Sequence, residues 1–156
     1  MSPIPARLLA HPPILLATGF GSGLSPVAPG TAGTLASLLL FTVLRDTGWP
    51  LLILCVAGFL AGILICRLTS DRLGVHDHGG IVWDEFIGMW VTLLWVPLSL
   101  TSIVAGFVLF RLFDILKPWP IGPLDKRVHG GLGIMLDDLI AGVFANLCLQ
   151  LLLIYL

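Results

Sequence analysis

"FIGMWVTLLWVPLSLTSIVAGFVLF", Phe86 to Phe110, runs for 25 residues without Asp, Glu, Lys or Arg. About 20 apolar residues suffice to cross a bilayer as a helix, so the stretch could be a single span. Pro97, Ser99, Thr101 and Ser102 interrupt its middle, and such residues also mark a turn. One span would put the segments before and after it on opposite faces. A hairpin turning near Pro97–Thr101 returns the chain to the face it left. The cations decide between the two. Under the hairpin, Arg7, Arg67, Arg72, Arg111, Lys117, Lys126 and Arg127 share one side and only Arg45 falls on the other. Membrane proteins collect Lys and Arg on the cytoplasmic side. The hairpin is therefore the reading, with the crowded face in the cytoplasm.

Composition places the whole chain in a membrane. Its 156 residues are 57% hydrophobic and 11% charged, against roughly 25% charged in ordinary globular chains. The mean hydropathy is +1.03. A formal net charge of −1 gives no basis for binding nucleic acid. Cys55, Cys66 and Cys148 are odd in number and set in apolar runs, and read as small hydrophobes. Arg7 precedes an apolar patch broken by Pro12 and Pro13, which is not a signal-peptide pattern. The expected fold is all-α: a polytopic membrane helix bundle forming one domain over 1–156. Five membrane-embedded helices are expected, roughly 31–44, 50–66, 84–96, 102–117 and 137–156. The third is short for a full crossing, which leaves room for a tilted or partly immersed helix. A Gly/Pro-rich, re-entrant-like loop lies at the cytoplasmic face.

This topology gathers every acid except Asp46 at the cytoplasmic face: Asp71, Asp77, Asp84, Glu85, Asp114, Asp125, Asp137 and Asp138. Asp84 and Glu85 open an apolar helix, where a carboxylate is costly unless paired or metal-bound; compensation of the helix dipole is the alternative. His76 and His78 form either a zinc half-site or part of a solvated loop. Arg111, Asp114 and Lys117, spaced i, i+3, i+6, share a helix face. They fit simple ion pairs, and equally an Asp114-held cation flanked by two bases that hold a phosphate. Asp137 and Asp138 open the final span, with Gly142 one turn further in. Carboxylates without thiolates favour Mg²⁺, Ca²⁺ or Mn²⁺ over Zn²⁺.

The segment "GFGSGLSPVAPGTAG", Gly19–Gly33, lacks the Lys-Ser/Thr ending of a P-loop. It still brings Gly backbone, Ser22, Ser25 and Thr31 to a helix N-terminus, whose free N–H groups bind anions. The alternative is a structural turn. Irregular backbone beside a membrane must line a polar cavity or be covered by protein.

That segment, "GVHDHGGIVWDEFIGMW" (Gly74–Trp90) and "FRLFDILKPWPIGPLDKRVHGGLGIMLDDLIAG" (Phe110–Gly142) together resemble phosphatidylglycerophosphatase A. The match runs from Leu16 to about Val143, with the motifs in the family's order. Thr34 stands where Ser is common in the family, and keeps the hydroxyl. The resemblance implies a Mg²⁺-dependent lipid phosphatase of the bacterial inner membrane that converts phosphatidylglycerophosphate to phosphatidylglycerol. It does not by itself say which acids bind metal. On spacing, Asp84, Glu85, Asp114 and Asp138 are the candidate ligands. Arg111, Lys117, Ser25 and Thr31 are the candidate phosphate contacts. The water would be oriented by an acid or by His76. Two other classes compete. An anion transporter would need sites on both faces, and the outer face carries only Arg45 and Asp46. A CDP-alcohol phosphotransferase would need a D-G-x-x-A-R run, which is absent.

Overall fold

The computed structural model describes residues 4–45 and 50–154, and every regular element among them is helical. Asp46 and Thr47 lie outside the described residues. The helices are α1 (Pro12–Ala17), α2 (Pro29–Arg45), α3 (Leu51–Leu73), α4 (Trp83–Thr92), α5 (Leu100–Leu116), α6 (Ile121–Arg127) and α7 (Gly130–Ile154). Short 3₁₀ turns at Ala6–Ala10 and Ser22–Leu24 flank α1. Among the described residues two helices, α3 and α7, are long and apolar enough to cross a membrane, fewer than the five expected. All five expected segments are nonetheless helical, with shifted ends.

The shifts have local causes. Pro29 starts α2 two residues early, because Pro suits the first helical position. No Gly or Pro interrupts α3 beyond Cys66, so it runs to Leu73 and stops where Gly74 turns left-handed (φ +66°). Ser99 and Ser102 form a reciprocal capping box that begins α5 at Leu100. The start of α7 moves as far as the end of α3, from 137 back to Gly130. Its glycines permit this: a Cβ on Gly131 would strike the Ile63 carbonyl, and one on Gly133 the Val128 carbonyl.

The short helix α4 is the centre of the molecule. All ten of its residues are buried, and α2, α3, α5 and α7 each pack against it. Its indoles tie it to its neighbours: Trp83 Nε1 donates to the Gly58 carbonyl of α3 (3.0 Å), and Trp90 Nε1 to the Ser37 carbonyl of α2 (3.1 Å). The sequence put its end at 96, but it closes at Thr92. There the Asn146 amide of α7 donates to the carbonyls of Thr92 (2.9 Å) and Leu94 (2.8 Å). Those carbonyls would otherwise face an apolar interior unpaired. The chain then turns and returns as α5, whose last turns lie beside the start of α4, with Arg111 3.7 Å from Glu85. The hairpin read from Pro97–Thr101 is thus an antiparallel pair.

Candidate active site

Helices α4 and α7 run parallel and touch through glycine. A Cβ on Gly142 would meet the backbone of Gly88, and one on Gly88 would lie 2.8 Å from the Asp138 carbonyl. Small residues at such a crossing let two backbones approach closely. Asp84 precedes Gly88 by four residues, and Asp138 precedes Gly142 by four. Each acid therefore sits one turn before the contact on the same helix face. The approach of the backbones sets the two carboxylates side by side, with Glu85 beside Asp84. Ligand atoms of Asp84, Glu85 and Asp138 all lie within 4.8 Å of one another. The three residues are only 9%, 9% and 3% exposed.

Around this group the charges do not balance. Asp114 lies within hydrogen-bonding reach of Asp138, making four carboxylates. The cation among them is Arg111, 2.5 Å from Asp114 and 3.7 Å from Glu85. Asp84 Oδ1 and Glu85 Oε2 are buried without a hydrogen-bond partner. Packed anions with orphaned oxygens are what a hard cation would satisfy, so the donor set fits such an ion.

The Gly/Pro segment reaches the same place through glycine. A Cβ on Gly30, in the first turn of α2, would strike Glu85 Oε1 and lie 3.1 Å from both terminal nitrogens of Arg111. The segment is also pinned to the approach to α4, with Gly23 against the Gly80 carbonyl and Gly33 against the Val82 side chain. The Val82 N–H donates to the Ala17 carbonyl (2.8 Å). The N-terminus of α2 thus abuts the Arg111–Glu85 pair.

The structure places several residues singled out from spacing away from the carboxylates or against other partners. Lys117, expected to hold phosphate, is clasped by Asp137 (2.6 Å) and Asp125 (3.0 Å). Burial works against its charge, but hydrogen bonds to both carboxylates hold its pKa above the ordinary lysine range. The shared-face reading failed because α5 ends at Leu116, and Lys117 turns off it in the left-handed region (φ +42°). His76 is exposed, and its Nε2 accepts the Gly130 N–H (2.9 Å) at the start of α7. Its ring lies 5.8 Å from that of His129. It serves as a helix cap, not as a neighbour of the carboxylates. Ser25 Oγ donates to the Val27 carbonyl (2.8 Å), closing its own loop. Thr31 sits half-buried in the first turn of α2, next to Gly30. Asp114 adjoins the three-carboxylate group instead of joining it. Read from the sequence, Gly142 is only a small residue near the start of the last span, and neither it nor Gly30 and Gly88 reads as a packing position, although the repeated Asp-x₃-Gly is visible.

A family model described as phosphatidylglycerophosphatase A matches residues 15–153. The chain belongs to the phosphatidylglycerophosphatase A family. It is 50% identical over 139 residues to the Escherichia coli K12 protein of that name, covering 88% of this chain and 81% of the relative. It is 46% identical to the Haemophilus influenzae protein of the same name, covering 92% and 90%. A Bacteroides thetaiotaomicron relative, 40% identical over 85% of this chain and 88% of its own length, carries the provisional name phosphatidylinositol-3-phosphatase. No solved structure matches. Membership makes the chain's kin lipid phosphatases, and makes the acidic group of α4 and α7 the natural place to look for a phosphomonoester site.

Proposed function

We propose that this protein is a Mg²⁺-dependent phosphatase that releases the terminal phosphate of phosphatidylglycerophosphate, leaving phosphatidylglycerol, at the cytoplasmic face of the bacterial inner membrane. Family membership supports the reaction. The observation that carries the site is the trio Asp84, Glu85 and Asp138, buried in an apolar bundle with unpartnered oxygens.

Asp84, Glu85 and Asp138 would hold the ion, with Asp114 alongside. When bound, Mg²⁺ supplies the positive charge that balances these carboxylates and polarises the phosphoryl group. Arg111 is held by Asp114 with its terminal nitrogens toward Gly30, where it can bind two phosphoryl oxygens. The N–H groups of the first turn of α2 add donors beside it. Both stabilise charge that grows on the equatorial oxygens as water attacks phosphorus and the bond to the glycerol oxygen breaks. The Lys117–Asp137 clasp fixes α7 without entering the reaction.

Membrane embedding is supported by where the apolar surface lies. Leu52, Ile53, Val56, Leu60, Leu64 and Leu68 of α3 are all exposed. Of the most apolar window of this helix, only 17% is buried. A core helix of a water-soluble protein would hide such a surface. The helices α2, α5 and α7 also expose apolar faces, through Leu39, Val108 and Leu151 among others. This favours a bundle surrounded by lipid, with the acids at one end.

The direct test is phosphate release from phosphatidylglycerophosphate in detergent, with Mg²⁺ or with a chelator. No release under either condition would refute the activity. Release unaffected by chelation would refute the cofactor alone. Orientation is tested with Leu100→Cys and Lys126→Cys in cells. An impermeant thiol reagent should reach the first and not the second.

A further inference from the structure

We infer that the slot between α3 and α7, beneath the end of α4, holds an acyl chain of the lipid whose phosphate reaches the carboxylates. This inference rests on the lipid-phosphatase reading of the site. The slot follows from the shortness of α4. Ten residues reach about 15 Å, roughly half the hydrocarbon thickness, whereas α3 and α7 continue past its end. They leave a cavity of about 420 Å³ between them, lined by Val56, Phe59, Val91, Trp95, Leu139 and Val143 among others.

Three observations favour a hydrocarbon chain as the occupant. The first is the lack of polar capacity. Asn146 is the amide in the lining. Its NH₂ is used by the Thr92 and Leu94 carbonyls, and its Oδ1 accepts from Gln150 Nε2 (2.7 Å). Apart from Asn146, the lining side chains carry only the Trp95 indole N–H and the Cys55 thiol as polar groups, so a polar ligand entering here would leave most of its hydrogen bonds unmade. The second is continuity with the candidate active site. Val91 lies seven residues, about 10 Å, beyond Asp84 on the same side of α4, and Leu139 directly follows Asp138. Acids and then slot, read along α4, follow the order of phosphate and then chain in a phospholipid standing in the cytoplasmic leaflet. The third is lateral access. Val56, Val143 and Trp95 are 50%, 41% and 72% exposed, so a chain can enter sideways from the bilayer without the head group crossing the apolar layer.

The experiment fills the slot. Val143→Phe and Val56→Phe are compared with the unmodified protein for kcat/KM on dihexanoyl- and dioleoyl-phosphatidylglycerophosphate, in one fixed detergent. Neither residue belongs to the carboxylate or Arg111 machinery. Turnover of the short-chain form should be unchanged, and the long-to-short ratio should fall about tenfold, as expected when a pair of methylenes loses its burial. An unchanged ratio in both variants would overturn the slot. A second measurement uses a phospholipid with a diazirine on its chain, at trace level in excess phosphatidylcholine. Its crosslinks should map to 139–147 and weaken in Val143→Phe. Crosslinks confined to other segments would overturn the slot even where a variant loses both activities. If the unmodified protein hydrolyses neither lipid but still gives those crosslinks, the proposed activity fails and the slot stands.

Discussion

Gly142→Ala tests the claim that a glycine crossing assembles the acidic site. A Cβ there would fall 3.1 Å from both the Cα and the carbonyl carbon of Gly88, and closer still to its oxygen. Carbon atoms rest comfortably at about 3.5–4.0 Å, so the helices must part by about 0.5–1 Å. Backbone on both sides leaves no side chain to swing away. Overpacking of this kind costs about 1–3 kcal/mol, while replacing Gly by Ala within a helix returns about 1 kcal/mol. Stability should therefore fall by no more than about 2 kcal/mol. Activity should respond far more strongly, because Asp138 sits one turn from the inserted methyl. A displacement of about 1 Å in catalytic geometry can cost on the order of 10²-fold. The assay is phosphate release per folded, detergent-extracted molecule, together with Tm. Gly58→Ala is the control. Its Cβ would meet Ile87 Cδ1 at 2.6 Å, the movable end of a flexible side chain, and activity should stay near wild type. If Gly142→Ala kept full turnover with a raised Tm, the two helices would not be setting the site by contact at glycine.

Other variants separate the charges by task. Asp84→Asn and Asp138→Asn should each lower turnover at least about 10²-fold, yet raise Tm without Mg²⁺ by relieving like-charge repulsion. They should also remove any Mg²⁺-induced rise in Tm, measured by thermal unfolding. Lys117→Met should cost about 1–3 kcal/mol, between exposed and buried ion pairs, and change kcat little; a large kcat loss at unaltered stability would return Lys117 to the substrate. Because its folded pKa is raised, the clasp contributes fully below the unfolded value of 10.5 and is lost only as pH rises through the folded one. The Lys117→Met penalty should therefore be flat across neutral pH. Asn146→Leu should lower stability by about 1–2 kcal/mol, since it orphans two carbonyls; an unchanged Tm would show that those carbonyls find other partners.

Much of this arrangement is legible in the sequence, and what is not has definite causes. Pro97 and the cation asymmetry announce the hairpin, since turn chemistry and charge sidedness act over short stretches. The Asp84-Glu85 and Asp137-Asp138 pairs stand out because adjacent acids in apolar surroundings need a reason. Asp138 is a candidate ligand from the sequence, but the structural reason for it over Asp137 is not visible there. That reason is the rotational phase of α7, fixed by a start at Gly130 that three glycines within four residues, Gly130, Gly131 and Gly133, hide from propensity reasoning. Successive helical residues point about 100° apart, so one acid faces Gly88 and α4 while its neighbour faces Lys117. The placement of Lys117 on the face of Arg111 and Asp114 failed for a related reason. A spacing of i, i+3, i+6 defines a face only while the helix lasts, and α5 ends one residue too soon.

The site's electrostatics follow from its packing. Asp84, Glu85 and Asp138 repel one another, and in a flexible loop they would move apart. Here each is carried on a helix whose position is set elsewhere: by Trp83 and Trp90 reaching into α3 and α2, by Gly88 against Gly142, and by Asn146 closing the far end of α4. Hydrophobic and hydrogen-bonded contacts spread along the bundle hold together what electrostatics at one end would push apart. The unpartnered oxygens of Asp84 and Glu85 are the visible part of that imbalance. A cation that binds the folded protein and not the unfolded chain would be coupled to folding by mass action. In such a design, preorganisation for phosphate chemistry and instability without the ion have the same origin, and a change that loosens the bundle at Gly142 should weaken both.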